Sequence, residues 1–145
     1  MDATIRSAKP RDHAAVTALL TEAKLPLAGV PADLDRFVVA ERSGEVVGAI
    51  GLEAYGDAAL LRSAVVAPAL RGTGLGERLV RALLAQAREQ GMRELVLLTT
   101  TAERWFPRFG FERIERTQVP SALHASEEFR GACPDTAIVM TLRLS

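Results

Sequence analysis

Apolar residues recur along this chain with the two-residue period of strands in some stretches and with a helical period in others. Strand patterns occupy "ATIRSA" near the start, "ELVLLTT" and "FERIERTQV" further on, and "AIVMTLRL" at the end. Between Phe37 and Pro68, three more apolar runs are separated by Ser43–Gly44 and Gly56–Asp57, which are dipeptides typical of tight turns. This spacing predicts an antiparallel meander of three strands.

Two stretches carry a helical pattern. Residues 9–23 predict a helix that starts near Pro10. Its apolar face would consist of Val16, Leu19, Leu20 and Ala23. Residues 74–90 predict a longer helix that ends at Gly91. Its apolar stripe would consist of Leu79, Val80, Leu83, Leu84 and Ala87.

The remaining stretches are loops, with one further predicted helix. "TTAERWFPRFG" predicts that helix, because Thr100 and Glu103 have the spacing of a capping box, and Pro107 would limit or bend it. Residues 25–36 predict a loop, and residues 120–136 predict a polar excursion with a short helix. Together the elements predict one α+β domain over residues 1–145. Its central sheet would be mixed but mostly antiparallel, with about six to seven strands flanked by helices.

Composition narrows the classes of function. The chain has 145 residues and no net charge, which argues weakly against a nucleic-acid partner. No apolar run is long enough to span a bilayer, and the N-terminus lacks an apolar leader, so we expect a cytoplasmic location and no membrane partner. Cys133 is the single cysteine and the two histidines lie far from it, so we expect neither a disulfide nor a metal site.

A glycine-rich segment, "RGTGLGE" (the glycine loop, residues 71–77), joins an apolar strand to the long helix. Free backbone amides at a helix N-terminus attract anions, and glycines let a phosphate approach them closely. No lysine follows as in a P-loop, and Glu77 stands where a dinucleotide fingerprint needs its third glycine. The glycines alone fit a phosphate cradle or a turn that packs the helix on the sheet.

The residues around the glycine loop favour the cradle. Arg71-x-x-Gly74-x-Gly76 after "VVAP" resembles the pyrophosphate loop of the GNAT superfamily of N-acetyltransferases, and "WFPRFGF" resembles the aromatic segment of that family. The resemblance covers almost the whole chain and is strongest over residues 60–111. It implies that acetyl-CoA is the co-substrate, with its pyrophosphate on a set of amides and on Arg71. The set comprises Gly72, Thr73, Gly74, Leu75, Gly76 and Glu77.

The family resemblance also implies where the thioester lies. In the family, the strands equivalent to "LRSAVVA" and "LVLLTT" splay apart, and the pantetheine arm pairs with the first of them, here at Val65, Val66 and Ala67. The amide of Val66 would polarise the thioester carbonyl. Glu53, between apolar residues near a strand end, is the best candidate for the general base, with Glu41 in reserve. Glu53 equally fits an ion pair with Arg62.

The general acid is where the sequence departs from the family. Many members carry a tyrosine four positions before the glycine of the Gly-Phe pair, and this chain has Phe106 there. The resemblance implies that Phe106 contacts the cofactor, but its side chain has no proton to donate. Either the thiolate leaves unassisted, or water or another group serves it. Tyr55, Ser126 and Cys133 are the candidate replacements.

The acceptor is expected to be a small amine. Arg62 fits either a bidentate contact with a substrate carboxylate or a salt bridge to Glu53 or Asp57. "LLTTTAERWFPRFGF" resembles N-acetylglutamate synthases. "GLEAYGDAALLRS", "LLTTTAERWF" and "SEEF…CP" resemble more closely an arsenic-resistance group, which implies an amino-acid-like amine. Residues 120–134 would either cover the substrate, through Ser126, Glu127 and Phe129, or form a plain surface loop.

Three readings of function therefore stay open. The first is an acetyl-CoA-dependent N-acetyltransferase for a small molecule, with Arg62, Tyr55 and Ser126 on the substrate side. The second is an acyl-CoA-binding module without catalysis, which the missing tyrosine favours. The third is a peptide N-terminal acetyltransferase, which needs an open cleft. The protein would be a monomer or a homodimer.

Overall fold

Seven strands form one sheet in the computed structural model, which describes residues 3–126, 128–132 and 136–144. The strands are β1 Thr4–Ser7, β2 Phe37–Arg42, β3 Glu45–Tyr55, β4 Ala58–Val66, β5 Glu94–Thr99, β6 Glu112–Ile114 and β7 Ile138–Arg143. Their order in the sheet is β1-β2-β3-β4-β5-β7-β6. Only β4 and β5 pair in parallel, so the predicted mixed, mostly antiparallel sheet is confirmed.

Two α-helices cover the sheet in the described part of the chain. They are α1 His13–Glu22, which follows a 3-10 turn at Pro10–Asp12, and α2 Leu75–Glu89. The apolar stripe predicted for α2 is buried, and Gly91 follows its end with a φ of +77°, which confirms both predictions. The shorter pieces are 3-10 helices at Pro68–Leu70, Phe106–Phe109, Arg116–Gln118 and Ser121–Ala125, and a kinked helical turn at Glu128–Ala132.

The third helix predicted around Pro107 is wrong. Residues 100–105 form turns, and only Phe106–Phe109 is helical, as a single 3-10 turn. A helix started at Thr100 would need the N–H that Pro107 lacks. The cap also differs, because Thr99 and not Thr100 accepts the Ala102 N–H on its Oγ1, at 2.9 Å.

The core lies on both faces of the sheet. Leu79 and Leu83 of α2 pack with residues such as Val38 on one face. Val16 and Leu20 of α1 pack with residues such as Val39 on the other. Because neighbouring strand residues point to opposite faces, the continuous apolar run of β2 serves both layers.

An irregularity in β4 separates it from β5. Gly51 pairs with Arg62 and Ala49 with Val65, so Ser63 and Ala64 both lie opposite Ile50 in a β-bulge. Ser63 has a φ of +59°, an unusual value for a serine. A bulge bends the strand that carries it, and β4 leaves β5 just before this one. The parallel pairing between the two strands runs from Ala58 to Leu60 on β4 and stops there.

In the part of the chain that the structure describes, none of the helices is both apolar enough and long enough to cross a membrane.

Candidate active site

A gap opens between β4 and β5 beyond their last pair, Leu60 with Val96. Residues 61–66 of β4 and 97–99 of β5 form its walls (the gap below), and it encloses a cavity of about 310 Å³. Leu79 and Val80 of α2 also line the cavity, as do residues of the loop that contains Pro26. The splayed strands that the family resemblance implies are therefore present.

Val66 presents its backbone to the gap. The N–H of Ala67 donates to the Val47 carbonyl on β3 at 2.8 Å. Backbone groups alternate in direction along a strand, so the N–H and carbonyl of Val66 point away from β3. The Val66 carbonyl accepts a hydrogen bond from Nε of Arg71 at 3.2 Å, which agrees with that direction. Among Val65, Val66 and Ala67, it is Val66 whose backbone N–H and carbonyl point away from β3, toward the gap.

The glycine loop turns sharply between β4 and α2. Gly72 and Gly74 have φ values of +82° and +87°, which side chains other than glycine rarely adopt. A Cβ atom placed on either would meet nothing within 4 Å. The Thr73 hydroxyl donates to the Leu70 carbonyl at 2.5 Å and closes the turn. The loop is therefore shaped by backbone direction, and the space beside it is open.

The start of α2 presents amides with no intrahelical acceptor. Gly74 is the N-cap residue, and the first backbone bond of the helix runs from the Arg78 N–H to the Gly74 carbonyl at 3.2 Å. The amides of Leu75, Gly76 and Glu77 precede that bond and stay available to a ligand. The Glu77 side chain turns to Arg81, at 3.3 Å.

Two aromatic side chains form the wall of the gap next to α2. Phe106 is buried and lines the cavity, and Trp105 lies beside it with ring centroids 4.9 Å apart. A Cβ on Gly76 would lie 3.6 Å from the Trp105 ring, an ordinary contact distance. Trp105 packs against the hydrophobic core and also lines the cavity, a position that residue type alone does not predict.

A polar cluster closes the other end of the gap. We call it the Arg62 cluster, and its members are Arg62, Glu53, Tyr55, Ser63, Ser126 and Glu128. Of the five polar or charged residues that are buried among those described, four belong to it: Arg62, Ser63, Ser126 and Glu128. Buried polar groups need partners, and within the described residues every buried side-chain nitrogen and oxygen has one.

The guanidinium of Arg62 connects four segments of the chain. Its side chain is 0% exposed and donates to Glu53 of β3. Its Nε donates to the Ser63 hydroxyl at 3.0 Å, and Nη2 donates to the Pro26 carbonyl at 3.3 Å. Nη2 also lies 3.6 Å from a carboxylate oxygen of Glu128. Of the two salt bridges predicted for Arg62, the one to Glu53 is present.

Glu53 accepts hydrogen bonds on both carboxylate oxygens. Oε1 accepts from Arg62 and from the Ser126 hydroxyl at 3.2 Å, and Oε2 accepts from the Tyr55 hydroxyl at 2.7 Å. Burial, and then the bond to Glu53, raise the pKa of Tyr55 to about 12. Tyr55 therefore keeps its proton across the neutral range and acts as a donor. The catalytic role of Glu53 stays a prediction.

The polar excursion that follows β6 supplies the last members of the cluster. Ser126 is buried, and its hydroxyl accepts the Glu128 N–H at 3.2 Å. Glu128 is buried and lines the cavity together with Arg62. Sequence reasoning named Ser126 but missed Glu128, because a glutamate in a polar stretch gives no sign that it is buried. Glu127 and Cys133, two other candidates, lie outside the described residues.

Two alternatives weighed from the sequence lie elsewhere. Glu41, the reserve base, pairs with Arg6 at 2.8 Å near the β1 edge of the sheet. Asp57, the other predicted partner of Arg62, instead pairs with Arg93, whose Nε lies 3.9 Å from Oδ2 of Asp57. Both side chains of this pair are largely exposed. Neither residue lines the gap.

The family assignment rests on the segment that carries the glycine loop and both walls of the gap. Residues 33–113, more than half of the chain, match the acetyltransferase (GNAT) domain family. The chain belongs to the GNAT acetyltransferase family. The match spans β2 to β5 and includes both the glycine loop and the gap. It confirms, at the level of the family, the acetyltransferase that the sequence motifs predicted.

Similar proteins of known function are much longer than this chain. The amino-acid acetyltransferase of Aeromonas salmonicida is 32% identical over 90 residues, 61% of this chain and 20% of that protein. The amino-acid acetyltransferase of Ralstonia nicotianae is 40% identical over 84 residues, 54% of this chain and 18% of that protein. The chain thus spans about a fifth of the length of these curated relatives.

Solved structures share the fold over the whole chain. N-acetylglutamate synthase from Neisseria gonorrhoeae, complexed with coenzyme A and N-acetyl-glutamate, has a TM-score of 0.84 at 23% identity and is matched over 100% of this chain and 36% of that one. Rv2747 from Mycobacterium tuberculosis, in complex with CoA, has a TM-score of 0.81 at 26% identity and is matched over 98% and 99%.

Proposed function

We propose that this protein transfers an acetyl group from acetyl-CoA to the primary amine of a small, amino-acid-like molecule. The observation that carries the proposal is the gap. At one end it meets an open glycine loop, and at the other it meets a buried cluster of ionisable side chains. A binding module needs the first end but has no use for the second. The proposal treats residues 1–145 as one GNAT domain.

The residues of the glycine loop fit coenzyme A. A pyrophosphate needs amides and a cation, which the start of α2 and Arg71 supply. The pantetheine arm carries amides, and the gap-facing backbone of Val66 offers it the pairing of an added strand. When bound, acetyl-CoA supplies the acetyl thioester. The amide of Val66 would then hold the carbonyl oxygen as negative charge develops on it.

The Arg62 cluster suits an amine. Two carboxylates, those of Glu53 and Glu128, lie beside Arg62 in the cluster, and carboxylates attract a cation such as the ammonium form of the acceptor. A carboxylate in such a cluster can accept the proton that the amine must lose before it attacks. The bidentate role predicted for Arg62 toward a substrate carboxylate also belongs to this proposal, and it requires the guanidinium to exchange partners.

The departing thiolate has no phenol at the position where many family members carry one. Phe106 lines the gap there, and the Tyr55 hydroxyl is bonded to Glu53. We propose that the thiolate leaves without a proton from a side chain and takes one from solvent afterwards. The replacement roles predicted for Tyr55, Ser126 and Cys133 are alternatives to this.

The substrate class is proposed from the relatives. Two of them are amino-acid acetyltransferases, which supports an amino acid as the acceptor. The segments that resemble the arsenic-resistance group add the phosphinic and arsenical analogues of glutamate to the candidates. A role in resistance to such compounds is the finer form of the proposal.

The experiment is the release of CoA thiol from acetyl-CoA, followed with a thiol reagent and a panel of amines. The panel contains glutamate, its two analogues, other amino acids and short peptides. Saturable turnover on one amino acid or analogue would support the proposal. Turnover on peptides alone would indicate a peptide N-terminal acetyltransferase. Binding of acetyl-CoA with no turnover on any amine would indicate the non-catalytic module.

A further inference from the structure

Glu128 differs from Glu53 in its position relative to the gap. The charged side chains that line the cavity, among the described residues, are Arg62 and Glu128. Glu53 does not line it, and its two oxygens accept three hydrogen bonds from Arg62, Ser126 and Tyr55. An acceptor that enters the gap therefore meets the carboxylate of Glu128 before that of Glu53.

The cluster holds the Glu128 carboxylate in place. Its side chain is 5% exposed, and one of its carboxylate oxygens lies 3.6 Å from Nη2 of Arg62. The turn that carries it is anchored at Ser126, whose carbonyl accepts the N–H groups of Phe129 at 3.1 Å and Arg130 at 3.0 Å. Ser126 is itself tied to Glu53 through its hydroxyl. Glu53 thus orients both the cation and the turn that border Glu128.

We propose that Glu128 is the carboxylate that contacts the acceptor amine and takes its proton, and that Glu53 and Arg62 position it. The ammonium gives one proton to Glu128 and becomes a nucleophile. Its nitrogen then forms a bond to the acetyl carbon while the carbon–sulfur bond breaks, and the electron pair leaves with sulfur as a thiolate. The second proton, lost as the amide forms, neutralises the thiolate through solvent, and Glu128 returns its proton to solvent.

This inference rests on the proposed function, and its test separates the two. The thiol-release assay is run on the wild type, Glu128→Gln, Glu53→Gln and the exposed control Glu89→Gln, with CoA affinity measured in parallel by calorimetry. We expect Glu128→Gln to lower kcat/KM by about 10²- to 10⁴-fold while CoA affinity stays within about twofold. Glu53→Gln should lose about tenfold, as expected of a positioning residue, and Glu89→Gln should be unchanged.

A second measurement distinguishes chemistry from structure. In Glu128→Ala, added formate provides a small carboxylate in the space that the side chain leaves, and we expect it to restore part of kcat. If Glu128→Gln does not fold, Glu128→Asp and this rescue carry the test. The inference would be overturned if Glu128→Gln kept its activity, if Glu53→Gln lost more activity than Glu128→Gln, or if formate did not restore kcat in Glu128→Ala. In each case the proposed acetyltransferase function would still hold. If the wild-type protein released no CoA thiol with any amine, the proposed function would be overturned, and this inference with it.

Discussion

The glycine loop and the Arg62 cluster border the same gap, and they are built differently. The loop consists of seven consecutive residues, and its binding groups are mainly backbone amides. The space beside its glycines is open. The cluster joins side chains from three separated segments, and its central guanidinium is fully buried. Exposed backbone amides form a binding surface by local geometry alone. A buried ion cluster exists only after the whole domain has folded around it.

This difference separates binding from stability. Changes in the loop should weaken CoA binding and leave the fold intact. Changes in the cluster should reach the fold as well as the chemistry, because burial of charge is tolerated only while the partners are present. Four experiments test that contrast, in order of decreasing expected effect.

The largest effect is expected from Arg62→Leu. The substitution leaves the carboxylates of Glu53 and Glu128 without their shared cation, and loss of one partner of a buried ion pair costs about 3–5 kcal/mol. Urea unfolding measures the free energy. The control is Arg93→Leu, which removes a salt bridge whose side chains are 76% and 69% exposed, and it should change stability by less than about 0.5 kcal/mol. If Arg62→Leu and Arg93→Leu lost the same free energy of unfolding, the buried cluster would matter no more to the fold than an exposed ion pair.

Arg71→Ala tests the role of the glycine loop in CoA binding. A hydrogen bond to a charged group contributes about 1.5–3 kcal/mol, so the Kd for CoA should rise about tenfold or more, with unfolding unchanged. Calorimetric titration gives the affinity. Arg88→Ala, in the exposed last turn of α2, is the matched control and should bind CoA like the wild type. A similar Kd for the two variants would exclude Arg71 from the phosphate site.

Gly76→Ala separates affinity from stability. The new methyl group has room beside Trp105, and alanine is favoured over glycine in a helix by about 0.5–1 kcal/mol, so stability should hold or rise. The methyl group would keep a phosphate from the amides, and we expect CoA affinity to fall about fivefold to tenfold. Gly44→Ala, in the turn before β3, should instead lower stability and leave CoA affinity unchanged, because its φ of +80° strains alanine. Unchanged CoA affinity in Gly76→Ala would place the phosphate elsewhere.

The smallest effect is expected on the free energy of unfolding at alkaline pH. The pKa of Tyr55 is raised to about 12, above its unfolded value near 10, so the folded protein keeps a proton that the unfolded chain loses. The stability that this phenol contributes is complete below about pH 10 and declines as pH rises toward 12. Tyr55→Phe should flatten that decline in unfolding measured from about pH 9 to about pH 11. Tyr55 is the only tyrosine, so phenolate absorbance reports its titration directly. An ordinary pKa would show that Tyr55 is not buried against Glu53.

The same contrast explains what the sequence predicted. The glycine loop, the strands and α2 follow from local patterns, since turn residues, periods and caps lie within a few positions of each other. The helix expected at Thr100 failed because a capping signal was weighed above Pro107. Arg62 and Glu53 were paired correctly because they lie on the two strands of one hairpin, only two register positions apart. Glu128 was missed because it joins them from 66 positions beyond Arg62, and nothing local marks that approach.

The most direct test of the account is a titration of the protein with acetyl-CoA, followed by the fluorescence of Trp105. Trp105 is the only tryptophan and lines the gap, so its emission reports whether the gap is filled. If acetyl-CoA occupies the gap, Trp105 emission should change saturably, with a higher Kd in Arg71→Ala and in Gly76→Ala than in the wild type. Calorimetric binding of acetyl-CoA with no change in Trp105 emission would place the cofactor outside the gap and contradict the account.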